Sequence, residues 1–426
     1  MSIRPLFLGA YPIGYPNATG QTLAALYGSD LGDSVISLVG HNEQSVVGTT
    51  VALPEDVLRI EKWVRSIVKA TDLQGRSSRA SDVAAGMNDS VRDHNLGFVR
   101  RVRRDARVAL DIMPAHLPKR TLEFLRAERP DVIHSLLGNG RMMRIAIELS
   151  DKINIPIVPH FMDDWPSTLY SSGELGGRAR ATILSLLAEV IVRAPVLLTI
   201  GRAMASEFAE RYGRPTLVAA NGVFPPERDA SNLPVTYFPR NLVYSGGLHL
   251  GRDRILLAVA RELARQGSSW SLVVHTTQPV PSEFRDAALS HHLSFCTPLS
   301  PSEVHGVLSR AGALLFVESL EPAIAAYTHL SVSTKAAEYV ASGRPIIAIG
   351  SAGQASMVEL ARYAKHVRSL NELEGMELSV ILSELDVPEP SQNIDLSSEL
   401  TIDRMRQNLL RGLQFAAQSG DRVRNA

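Results

Sequence analysis

One cysteine in 426 residues, Cys296, leaves no partner for an intrachain disulfide and rules out a metal site built on several thiolates. A single thiol suits a reducing cytoplasm, which is the location expected for the chain. Charge of one sign is equally lacking: Lys and Arg total 44, and Asp and Glu total 44. No global field draws the chain toward nucleic acid, and no nucleic-acid partner is expected. Long hydrophobic runs are missing too. The most apolar stretch, ILSLLAEVIVRAPVLLTI (183–200), contains Glu189, Arg193 and Pro195, too many interruptions for a membrane span. The opening MSIRPLFLGAYPIGYPN has one Arg and a short apolar run broken by Gly and Pro, without the length or cleavage site of a secretory signal. Short repeats and low-complexity tracts are absent.

What remains is an ordinary globular composition, 45% hydrophobic and 21% charged, long enough for two large domains. Short Val/Ile/Leu-rich runs alternate with helical patterns, as in parallel sheets covered on both faces. Strands are predicted at 5–10, 34–40, 131–137, 155–161 and 196–201, with helices at 20–28, 119–128, 140–152 and 177–193. The second half repeats the pattern, with strands at 241–247, 271–276, 293–296, 313–319 and 345–350 and helices at 252–267, 301–311 and 333–342. A Pro- and Asn-rich stretch at 215–240 reads as a linker, and an irregular stretch at 386–399 precedes a final amphipathic helix at about 400–417. The expected organisation is an α/β chain of two Rossmann-like domains, 1–220 and 221–400, with 401–426 packing back on the first.

In open α/β sheets, ligands sit beyond the carboxyl ends of strands, where loops meet helix amino termini. The segment SVSTKAAEYVASGRPIIAIGS (331–351) is the most informative of these places. Ser333 and Thr334 stand where helix N-caps stand, and a first helical turn offers unpaired N–H groups to a diphosphate. Lys335 adds a cation, and Glu338, one turn on, can accept hydrogen bonds from ribose hydroxyls. By spacing alone, the segment fits a capped, charged surface helix equally well.

STKAAEYVASGRPIIAIG closely resembles the donor-site segment of the retaining GT-B glycosyltransferases, the family 4 or group 1-like enzymes. NLVYSGGLHLGRDRILLAVARELARQG (241–267) resembles their phosphate loop and following helix. CTPLSPSEVHGVLSRAGALLFVES (296–319) and VAANGVF (218–224) match further segments in the family's order. The resemblance implies two domains facing an interdomain cleft. It implies that Gly246 and Gly247 admit the donor phosphates, that Arg252 binds them and that Ser333, Thr334 and Lys335 frame the diphosphate. Glu338 would hold the ribose, and the loop from Thr297 to Leu299 would border the base. Two positions depart from the usual pattern: Gly247 stands where many members have Arg, and Leu330 where many have an earlier Glu.

In the first half, GAYPIGYPNATGQTLAALYG (9–28) is a strand end, a Gly/Pro/Asn loop and a helix. Asn17, Thr19 and Gly20 best match the family's acceptor-side loop. VPHFMDDWPSTLY (158–170) places His160, Asp163 and Asp164 at a strand's carboxyl end, as catalytic candidates or as a turn beside a satisfied histidine. Arg141 and Asn139 could reach the same space, whereas His134 reads as structural. The run 97–113 holds five arginines at helical spacing. It reads as a solvated face, or as an interfacial helix on which Arg100–Arg107 lean against anionic lipid at the inner face of the membrane.

The function implied is transfer of a sugar from a UDP- or GDP-linked donor to a glycan, lipid-linked or small acceptor. Anomeric configuration would be retained, with no metal or other cofactor. A sugar-nucleotide epimerase and a non-catalytic nucleotide- or glycan-binding homologue are the competing readings.

Overall fold

The computed structural model describes residues 3–28, 31–40, 43–53, 98–223, 240–286, 289–299, 301–363, 367–370, 375–385 and 400–424. The chain divides into two units. The first comprises Met1–Ala220 with Met405–Ala426, and the second Asn221–Arg404.

The first unit is built on a seven-stranded sheet of β1 (Pro5–Gly9), β2 (Ile36–Val39), β3 (Thr49–Ala52), β4 (Val132–Ser135), β5 (Ile157–Phe161), β6 (Leu197–Thr199) and β7 (Thr216–Val218). Their order across the sheet is β3-β2-β1-β4-β5-β6-β7. Every ladder is parallel; Leu6, for example, pairs with Ile36 on one side and Ile133 on the other. Strands β1, β2, β4 and β5 are buried along their whole length. Such burial favours apolar runs, and these are largely the runs visible in the sequence, interrupted at His134, Ser135 and His160 by polar side chains that are hydrogen-bonded. The edge strands β3 and β7 are only partly covered, and they were not predicted. Thr216–Val218 belongs to the sheet rather than to a linker, while residues 224–239 of that expected linker lie outside the described residues.

The helices of this unit are α1 (Ala18–Tyr27), α2 (Phe98–Ile112), α3 (Lys119–Glu128), α4 (Gly140–Ile153), α5 (Trp165–Thr168), α6 (Arg178–Val192) and α7 (Arg202–Tyr212). The C-terminal helix, Ile402–Arg424, returns to the same unit. Arg406 Nε donates to the Ala25 carbonyl at 2.8 Å, and Asn408 Nδ2 to that of Val218 at 2.9 Å. Leu409, Leu413 and Ala416, at helical spacing, are its buried stripe.

The second unit has a six-stranded parallel sheet ordered β10-β9-β8-β11-β12-β13. These strands are β8 (Asn241–Ser245), β9 (Ser271–His275), β10 (Leu293–Cys296), β11 (Ala313–Val317), β12 (Ile346–Ile349) and β13 (Val367–Leu370). Helices α8 (Arg252–Arg265), α9 (Pro301–Leu308), α10 (Pro322–Thr328), α11 (Lys335–Ala341), α12 (Ala355–Tyr363) and α13 (Gly375–Leu385) connect them. Side chains of β8 and β11 alternate between two apolar clusters. Leu242, Tyr244 and Leu315 enter one, and Val243, Leu314 and Phe316 the other, so both faces of the sheet are sealed. The irregular stretch 386–399 lies outside the described residues.

Candidate functional site

In both sheets the strand order reverses once, between β1 and β4 and between β8 and β11. At such a point neighbouring connections leave in opposite directions and open a crevice at the strands' carboxyl ends. In the second unit, residues 246–251 and 318–321 border that crevice.

Gly246 lies in the first of these loops with φ 146°, a region that L side chains rarely adopt. A Cβ on it would run into Nζ and Cε of Lys335. This glycine therefore admits the lysine itself. Lys335 Nζ donates to Tyr244 Oη at 3.0 Å and lies 4.3 Å from the centre of that ring. Tyr244 in turn donates to the Gly247 carbonyl at 2.6 Å, which ties the loop to the lysine. Burial holds the Lys335 ammonium well below the usual lysine range, and the Arg252 charge acts in the same direction. Burial also raises the Glu338 carboxyl to about 7, against the pull of Lys335.

Arg252 opens α8 and is buried. Its Nε donates to the Val317 carbonyl and its Nη2 to Glu318 Oε2, both at 3.1 Å. Glu318 immediately follows β11, so the ion pair bridges the two sides of the switch point. Two of the first amides of α8 are already engaged: Arg252 N–H with the His249 carbonyl and Asp253 N–H with that of Leu248.

Ser333 and Thr334 depart from expectation. Neither side chain caps α11: Thr334 sits at the N-cap with helical φ and ψ and makes no side-chain cap bond. Its carbonyl accepts from Asn221 Nδ2 at 3.1 Å, and Ser333 N–H donates to Ser356 Oγ at 3.0 Å. Thr297 is exposed at the end of β10, two strands from β8 and so about 10 Å away. Its carbonyl accepts from His275 Nδ1 at 2.9 Å. The structure thus groups Gly246, Gly247, Arg252, Lys335 and Glu338, with Thr297 toward the sheet edge. It adds Tyr244, His249, Gln278 and Glu318, whose one signal in the sequence is nearness to strand ends.

The first unit holds a different chemistry. Asn17 caps α1 by accepting from Gly20 N–H at 2.7 Å. Gly20 packs so closely on the Tyr15 backbone that no Cβ fits. Thr19 and Arg141 are half-buried beside these turns. Asn139 caps α4 through Met142 N–H at 2.8 Å. Asp111 covers the same helix start, accepting from Gly140 N–H at 2.8 Å and from Tyr170 Oη at 2.8 Å.

The catalytic role expected for His160 does not fit its surroundings. Its ring is fully buried on β5, with Nδ1 3.1 Å from His134 Nε2 and Nε2 2.7 Å from the Ala219 carbonyl. No nitrogen is left to face a ligand. Asp164 is likewise committed, to Arg211 Nη1 at 3.0 Å and Ser167 Oγ at 2.7 Å. Asp163 stays half-buried at the strand end. Of the arginine run on α2, Arg104 lies 3.3 Å from Asp105 and Arg107 is exposed. The side chains of Arg100, Arg101 and Arg103 lie outside the described residues. No helix among the described residues is long and apolar enough to cross a membrane.

Two parallel, doubly wound sheets of this kind define the GT-B fold, and solved structures bear out that assignment. The chain is similar to Anabaena Alr3699/HepE, crystallised in complex with UDP and glucose, with a TM-score of 0.51, 12% identity and full coverage of both chains. It is similar also to the apo form of the lipopolysaccharide outer core galactosyltransferase WaaB, with a TM-score of 0.51 and 12% identity over 96% of this chain and 99% of that one. No family model and no curated protein matches the sequence.

Proposed function

We propose that the chain is a glycosyltransferase that takes a UDP- or GDP-linked sugar and passes the sugar to a glycan, lipid-linked or small acceptor. One observation carries this reading: the β8–β11 switch point brings together a two-glycine loop, the basic groups Arg252 and Lys335, and the Glu338 carboxyl. A diphosphate leaving group needs nearby positive charge and hydrogen-bond donors as its own charge develops. Lys335, kept from charging by burial and by Arg252, gains a counter-charge when a diphosphate arrives. Glu338, in electrostatic reach of Lys335, is the acceptor for ribose hydroxyls. The shared fold of a protein crystallised with UDP and glucose supports the same reading.

We extend the proposal to retention of configuration, with the leaving group stabilised by Arg252 and Lys335 and no metal required. Thr19, Arg141 and Asp163 are the acceptor-side candidates. The test is turnover of UDP- and GDP-sugars by wild type, Glu338→Ala and Lys335→Ala. Lys335→Ala should lower turnover roughly a hundredfold, the worth of one positioned transition-state group, and Glu338→Ala should lower it through weakened donor binding. Intact turnover in both would refute the assignment.

The commitment of His160 and Asp164 to internal partners favours one second reading, a nucleotide-binding protein without transferase activity. Tight donor binding with no transfer to a broad acceptor panel would mark it.

A further inference from the structure

We infer that His249 is a neutral hydrogen-bond donor to the diphosphate of the donor, its tautomer fixed by Gln278. The inference rests on the nucleotide-sugar reading of the same loop.

Leu248 N–H donates to Gln278 Oε1, which fixes which end of that amide is oxygen. Gln278 Nε2 then lies 3.2 Å from His249 Nδ1. An amide nitrogen only donates, so Nδ1 is the acceptor, and in a neutral imidazole the proton sits on Nε2. Gln278 is itself held from the other side, its N–H donating to Thr276 Oγ1 at 3.2 Å.

The ring is also fixed in place. A Cβ on Gly247 would lie 2.5 Å from both Cε1 and Nδ1 of His249, so the second glycine of the loop makes room for this imidazole as the first does for Lys335. The side chain is exposed, and Nε2 has no partner among the described residues. The ionisable groups around it are Arg252, Glu318 and Lys335, the last kept from charging by burial. Desolvation of the ring edge that packs on the loop disfavours imidazolium, as does the Arg252 charge, while Glu318 favours it; protonating Nδ1 would also cost the hydrogen bond it accepts from Gln278. Arg252 is ion-paired with Glu318. An uncharged N–H donor at the mouth of the glycine loop is then suited to a phosphate oxygen.

The test is calorimetric binding of UDP, GDP, uridine and guanosine to wild type, His249→Phe, His249→Gln and Gln278→Met, with thermal melting to verify folding. His249→Phe should weaken diphosphate binding about tenfold, the scale of one hydrogen bond to a charged group, and leave nucleoside binding unchanged. His249→Gln, which keeps a donor, should recover most of the loss. Nitrogen-15 spectra of labelled histidine should show the Nε2–H tautomer for His249 in wild type and a mixture in Gln278→Met. Unchanged diphosphate affinity in His249→Phe, or an Nδ1–H tautomer in wild type, overturns this inference alone. Wild type that binds neither UDP nor GDP overturns the donor-site reading and this inference with it.

Discussion

His134 Nε2 and His160 Nδ1 are 3.1 Å apart in the interior of the first sheet, and this contact polarises a longer relay. The Ala219 carbonyl can only accept, so His160 Nε2 carries a proton. In neutral rings, His160 Nδ1 must then accept from His134 Nε2–H. That leaves His134 Nδ1 to accept from Tyr27 Oη, 2.7 Å away. Tyr27, His134 and His160 are all fully buried, and every polar atom of the relay is satisfied in one arrangement.

The relay sets a pH dependence of stability. Burial lowers His160 to about 4, and His134 is lowered well below its usual value. An unfolded histidine titrates near 6.5, so between about 6.5 and 4 the unfolded chain binds more protons than the folded one. The contribution of His160 is full above pH 6.5 and falls away toward pH 4, by about 3 kcal/mol in all. Melting curves of wild type and His160→Gln should therefore differ most above pH 6.5 and converge toward pH 4. A gap independent of pH would contradict a neutral relay. Comparison by difference is needed because Glu338 and Asp111, both raised by burial, shift stability in the opposite sense.

Gly246→Ala tests the seating of Lys335. The substitution meets both an unfavourable φ and the lysine side chain, and should cost about 1–3 kcal/mol of stability. The double variant Gly246→Ala, Lys335→Ala should recover the part due to collision, leaving the backbone strain. Equal melting temperatures for single and double variants would mean that the lysine does not press on the glycine.

Glu338 should make nucleotide affinity depend on pH. The carboxylate is the form that accepts from ribose, and burial puts its midpoint at about 7. Affinity should then fall as pH drops below about 7, approaching tenfold per unit. Glu338→Gln should bind more weakly and lose that step, as read by titration calorimetry from about pH 5.5 to about 8.5. A step of unchanged size in Glu338→Gln would assign it to another group.

How much of this was legible depended on what each residue answers to. The buried strands announced themselves because a strand sealed on both faces is apolar along most of its length, as Ile346–Ile349 is throughout. Edge strands such as Thr49–Ala52 face solvent and need no such run. Lys335 and Glu338 could be picked out together because one helical turn joins them, whatever surrounds it. Thr334 does not act as the side-chain cap that its hydroxyl suggests, because its backbone is helical and no residue type announces that.

The sequence by itself determined two parallel α/β units, since period, length and apolar runs are local properties of the chain. Only the tertiary structure decided that His160 is sealed in a relay, that Glu318 answers Arg252, and that Gln278 fixes His249. Those pairings join residues 26 to 66 positions apart. They exist because parallel ladders set the strand order, and no local pattern encodes which strand ends will meet.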